Sequence, residues 1–100
     1  MRTFIISSAT SICTELGDRC KLIRLSRNLT QQQLADMVGA SLSSVRRFEA
    51  QGQGSLEMFV KITQALQVVQ QLEPLFTQQE ASIAELEKQQ AVQQRKRARP

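Results

Sequence analysis

The chain has 100 residues, 41% of them hydrophobic, enough for one small core and too few for two. It contains no His, Trp or Tyr and only four Phe, so the core must come from Leu, Ile, Val, Met and Ala. With no His, no Cys beside a base, no paired carboxylates in an apolar setting and no Gly-rich phosphate loop, catalysis is not expected, nor is a metal or other cofactor.

In chain order, residues 1–10 read as an arm. Phe4-Ile5-Ile6 is its only apolar run, too short for a signal-peptide core. It is β-prone and fits either an extended arm or a plug on the first helix. No stretch approaches membrane-spanning length, so the expected location is the cytoplasm. A first helix is predicted from about Ser11 to Arg27, with a core stripe of Leu16, Cys20 and Ile23 and with Ile12 one turn before. Cys13 and Cys20 fall seven residues apart on it, about 10 Å along the axis and beyond disulfide reach. Cys20 therefore reads as a small buried hydrophobe.

Residues 29–49, LTQQQLADMVGASLSSVRRFE, carry the most information. Thr30 and Gln33 have the spacing of a capping box, and Leu29 and Leu34 that of a hydrophobic staple. Leu34, Ala35 and Val38 form one apolar face, and Gly39 can supply the left-handed residue that ends a helix. Ser41 can cap a second helix whose Val45 and Phe48 point inward while Ser43, Ser44, Arg46 and Arg47 point out. Two such short helices bury little on their own. The arrangement is a helix-turn-helix, a device for holding the outward face of its second helix in a groove.

Residues 50–55 then read as a loop, and Ser55 as the cap of a fourth helix burying Leu56, Phe59, Ile62 and Leu66. Leu72, Leu75 and Phe76 suggest a short fifth helix with Pro74 in its first turn. The domain is thus placed at residues 11–76. Residues 77–100 form a Gln- and Glu-rich segment with sparse anchors at Ile83, Leu86 and Val92. It is expected to be a frayed helix running into a disordered basic tail.

Charge placement agrees with this division. Residues 1–94 hold nine basic and nine acidic side chains, so the net +4 comes entirely from Arg95, Lys96, Arg97 and Arg99. Residues 1–50 are basic, seven against four, whereas residues 51–94 are acidic, five against two. A basic half carrying the outward helix suits a DNA reader, although both halves also fit plain solvated faces.

The segment resembles the Cro/CI-type, or XRE-type, helix-turn-helix of bacterial and phage repressors. The matching residues are Gln31, Ala35, Gly39, Val45 and Phe48-Glu49, with Leu16-Gly17, Arg24 and Leu29 upstream and residues 55–68 downstream. The resemblance covers about residues 12–76. It implies an all-α, five-helix lambda-repressor-like domain and an ion pair between Arg24 and Glu49. It also implies base-reading positions at Leu42, Ser43 and Arg47, with Arg46 alongside. Arg47 is the candidate for bidentate contact to guanine, and Leu42 for a thymine methyl. Gln31 and Ser41 can donate to phosphates beside the exposed N–H groups of their helix starts. Arg95, Lys96, Arg97 and Arg99 can track phosphates or serve solubility. One such domain reads half a site, so double-stranded DNA with an inverted repeat and a homodimer are the expected partners, with Met58, Val69 and Leu72 as spare apolar candidates for contact.

Residues 48–76 together with the basic end further resemble HipB-like regulators, on Phe48-Glu49, Ser55-Leu56, Ala65-Leu66 and Leu75-Phe76. That resemblance implies an antitoxin that represses its own operon and binds a HipA-type kinase toxin. Three readings stand at this point. They are a self-contained repressor, an antitoxin-type repressor, and an interaction module using the same architecture without DNA.

Overall fold

The computed structural model describes residues 4–77, 87, 88 and 90–92. Helix α1 spans Ala9–Ser26, α2 Gln31–Val38, α3 Leu42–Gln51 and α4 Leu56–Ala65, with 3-10 turns at Phe4–Ile6 and Val69–Leu72. No strand occurs among the described residues. The all-α, lambda-repressor-like class expected from the sequence is the one observed.

Each α-helix starts on a hydroxyl. Ser8, Thr30, Ser41 and Ser55 each accept a hydrogen bond from the backbone N–H three residues on, at 3.0–3.1 Å. Such a bond satisfies one of the four amide donors that a helix start leaves open, and is worth about 1 kcal/mol. Thr30 completes a capping box, because its own N–H donates to Gln33 Oε1 at 2.8 Å. Because Ser8 is the cap, α1 begins two residues before Ser11. Gly39 and Gly52 end α2 and α3 in the left-handed region, at φ 70° and 66°. Asn28, just past α1, adopts φ 57°, which a short polar side chain tolerates.

The core is Cys20, Leu34, Ala35, Val38, Val45, Phe48, Ile62 and Leu66, contributed by α1, α2, α3 and the end of α4. Leu34, Val45, Ile62 and Leu66 are fully buried, each contributing roughly 1.5–3 kcal/mol. Phe59 meets Phe48 with ring centroids 6.0 Å apart, tying α4 to α3.

The seam of α1 differs from the stripe expected of it. Gly17, Cys20 and Arg24 are buried, while Ile12, Leu16 and Ile23 are half-buried flanks. The reason is a close crossing. A methyl on Gly17 would collide with the Phe48 carbonyl oxygen, and one on Gly52 with the Cys13 carbonyl. Backbones this close leave room for small residues at the centre, and the larger apolar ones pack around it.

The second half also departs from expectation. Leu56 is 77% exposed, since as the first residue of α4 it projects beyond the layer that buries Ile62 and Leu66. The fifth helix is the 3-10 turn Val69–Leu72, upstream of the position expected for it. From Gln71 on, the N–H groups of Gln71, Glu73, Leu75 and Thr77 each bond to the third residue back, so no α period develops. Pro74 lies beyond that turn and has no N–H to extend it. Leu75 and Phe76 are consequently exposed, whereas Met58 packs on the core and Val69 and Leu72 are half-buried. Among the described residues of this half the large exposed apolar side chains are thus Leu56, Leu75, Phe76 and Val92, while Met58, Val69 and Leu72 are only partly exposed.

Phe4-Ile5-Ile6 forms a 3-10 turn and not a strand, with Phe4 5.0 Å from the Arg19 guanidinium over its ring face. Residues 87, 88 and 90–92 are helical. Ile83, Leu86, Arg95, Lys96, Arg97 and Arg99 lie outside the described residues.

Candidate nucleic-acid interface

Helix α3 has two unlike sides. Val45 and Phe48 are buried and Ser43, Arg46 and Arg47 exposed, as the spacing predicts; Glu49 is buried as well, and Ser44, expected to point out, is not fully exposed. Leu42 and Ser44 are half-buried at its first turn, and Ser41 is exposed before it. The hydroxyls of Ser43 and Ser44 lie 3.1 and 2.8 Å from that of Ser41, so the start of α3 carries a hydroxyl cluster beside open backbone N–H groups. Such a helix start favours anions.

What aims this face is a buried ion pair. Arg24 Nε and Nη2 donate to the two oxygens of Glu49 at 2.7 and 3.1 Å, and both side chains are at least nine-tenths buried. This is the pair implied by the family resemblance, more deeply buried than a partly exposed bridge. Arg24 Nη1 also donates to the Leu29 carbonyl at 2.7 Å, so one guanidinium fastens α1, the turn before α2, and the end of α3. Every buried side-chain N or O among the described residues has a partner, which is the condition for such a pair to be tolerated.

The network continues to the surface. Gln31 Nε2 donates to Glu49 Oε1 at 3.0 Å, and Gln31 Oε1 accepts from Arg46 Nε at 3.4 Å. One amide hydrogen of Gln31 is thus committed to Glu49, leaving the second for an outside acceptor. Arg47 is held separately, its Nε donating to Gln53 Oε1 at 2.7 Å. An open cleft of about 370 Å³ lies alongside, lined by Thr14, Glu15, Asp18, Lys21, Gln31, Arg46, Glu49 and Ala50. Lys21, Gln31 and Arg46 therefore border one recess.

Gln31, Arg46 and Arg47 are expected from the sequence, whereas Lys21, Gln53 and the contact of Gln31 with Glu49 are not. Only Lys21 carried a signal, since it stands one helical turn before Leu25 in the basic half. Burial pushes the Cys20 thiol up to about 11, helped by the nearby Glu49 carboxylate, as befits an inert core residue. Cys13 and Cys20 are both free.

Residues 21–69 match the family model described as helix-turn-helix. This chain carries a helix-turn-helix domain. The matched segment runs from the last turns of α1 to the first residue of the 3-10 turn after α4 and takes in the whole Arg24–Glu49–Gln31–Arg46 network. The match supports a DNA-binding transcriptional regulator. No curated protein matches the chain. Among the described residues, no helix is long and apolar enough to cross a membrane.

Proposed function

We propose that the protein is a sequence-specific transcriptional repressor that binds an inverted-repeat operator as a homodimer, with α3 in the major groove. One observation carries the reading. Ser43, Arg46 and Arg47 are exposed on a helix whose opposite side is locked to the core by the buried Arg24–Glu49 pair. Within this reading Arg47 contacts guanine, with Ser43 and Leu42 beside it and Arg46 near the groove edge. Gln31, Ser41 and Ser44 meet phosphates at the starts of α2 and α3, and fix register without reading sequence. Arg95, Lys96, Arg97 and Arg99 add backbone contacts. A second subunit places its α3 one helical turn of DNA away, about 34 Å.

Selection of binding sites from duplex DNA with a randomised core tests this. Arg47→Ala is expected to erase the preference at one position per half-site, at a cost of about 1–3 kcal/mol. Gln31→Ala is expected to weaken all sequences alike. An unaltered preference with Arg47→Ala removes that residue from the reading set. Truncation after Gln94 is expected to flatten the salt dependence of binding, and an unchanged slope would take the basic segment off the DNA.

A second reading adds a protein partner, making the chain the antitoxin of an operon with a HipA-type kinase. It is favoured by the exposed Leu56, Leu75 and Phe76 and by the acidic excess of residues 51–94, neither of which has a use against DNA. Co-expression with the product of a neighbouring kinase gene tests it. A stable complex supports the antitoxin, and recovery of the homodimer alone returns the protein to the plain repressor class.

A further inference from the structure

We propose that Gln53 is the positioning residue for Arg47, and that it dictates which edge of the guanidinium meets the base. The proposal rests on the reading above, in which Arg47 faces the floor of the groove.

Gln53 Oε1 accepts from Arg47 Nε at 2.7 Å, and no acidic side chain among the described residues pairs with Arg47. The loop that brings Gln53 there is anchored. Gly52 takes φ 66°, which turns the chain back along α3, and its Cα lies so close to the Cys13 carbonyl that a Cβ has no room. Gln53 therefore stands on backbone fixed against α1, although its side chain lies at the surface.

A guanidinium offers two bidentate edges, one formed by the two Nη groups and one by Nε with an Nη. With the Nε hydrogen committed to Gln53, only the Nη edge is left for the O6 and N7 acceptors of guanine. Holding the fork in advance also removes part of the rotamer freedom otherwise lost on binding. A neutral amide performs this without placing a negative charge beside the DNA backbone. A carboxylate at the same position would hold Arg47 at least as firmly while repelling phosphates.

The test uses the full chain and duplex DNA with a randomised core, comparing Gln53→Ala and Gln53→Glu, each alone and combined with Arg47→Ala. Gln53→Ala is expected to lower discrimination roughly three- to tenfold at the position that Arg47→Ala affects, with melting temperature and affinity for random DNA unchanged. In the Arg47→Ala background it is expected to have no further effect. Gln53→Glu is expected to keep the base preference while weakening binding to every sequence.

A Gln53→Ala protein with unaltered preference, while Arg47→Ala alters it, overturns the positioning role alone. An effect of Gln53→Ala that persists in the Arg47→Ala background also overturns it, because Gln53 would then touch DNA itself. If Arg47→Ala alters no position, the reading of Arg47 fails, and this inference with it.

Discussion

The two ends of α3's side-chain network are held by different means. At the inner end, Glu49 takes two charged hydrogen bonds from Arg24 in a nearly dry setting, and Gly17 and Gly52 let the backbones of α1 and α3 touch. At the outer end, Arg46 and Arg47 are held only by the amide oxygens of Gln31 and Gln53, both in contact with solvent. Inner contacts of this kind are costly to break, whereas the outer ones contribute little to stability and leave the Nη groups of Arg46 and Arg47 open to a new acceptor. In the proposed DNA-reading role α3 needs this difference, because its axis must stay fixed while the free Nη groups of its exposed arginines take new partners.

Glu49→Ala strikes the inner end hardest. It leaves the Arg24 guanidinium buried without a counter-charge, and a loss of about 3–5 kcal/mol is expected in denaturant unfolding. A protein of undiminished stability would show that the pair does not fix the frame.

Alkali reaches the same region through Cys20. Its folded value, about 11, lies above the ordinary 9.0, so above pH 9 the unfolded chain releases this proton while the folded one keeps it. Stability is thus expected to fall as pH rises from 9 to 11, by roughly 2–3 kcal/mol across the window, and to be unaffected by this group below it. The difference between the wild type and Cys20→Ala over that range isolates the thiol from every other response of the chain to alkali. Parallel curves would show that Cys20 is wetter than its burial indicates.

Gly17→Ala sharpens the contrast from the backbone side. Helix propensity alone favours alanine by about 1 kcal/mol. The collision with the Phe48 carbonyl is expected to reverse the sign and cost about 1–3 kcal/mol in thermal unfolding. A stabilised variant would mean that α1 can retreat from α3.

At the outer end, Arg47→Ala is expected to leave unfolding free energy within about 0.5 kcal/mol of the wild type. A larger loss would make the Arg47–Gln53 contact part of the frame.

Local chemistry explains what the sequence disclosed. Thr30 with Gln33, Gly39, and Ser41 before Val45 announce caps and a turn because each acts on backbone within four residues of itself. The Arg24–Glu49 pair was legible only through family resemblance, for nothing local joins residues so far apart. The seam of α1 was obscured because apolar periodicity rewards Leu16 and Ile23, whereas a close crossing selects Gly17. Leu56 matched the apolar period of α4, and its exposure follows from standing at the very start of that helix. The grip of Gln53 on Arg47 depends on how Gly52 turns the chain, and a glutamine in a loop gives no hint of it.

Hydroxyl caps have one more consequence. Since Ser41 fixes where α3 begins, the direction in which Ser43, Arg46 and Arg47 radiate is counted from that serine and not from the preceding helix. Ser55 likewise restarts the count for α4. In the proposed DNA-reading role, residues 43, 44, 46 and 47 therefore form an exchangeable cassette set against the Ser41 cap and the Val45, Phe48 and Glu49 anchors. New letters can be written into it, and the azimuth of the helix stays where the serine sets it.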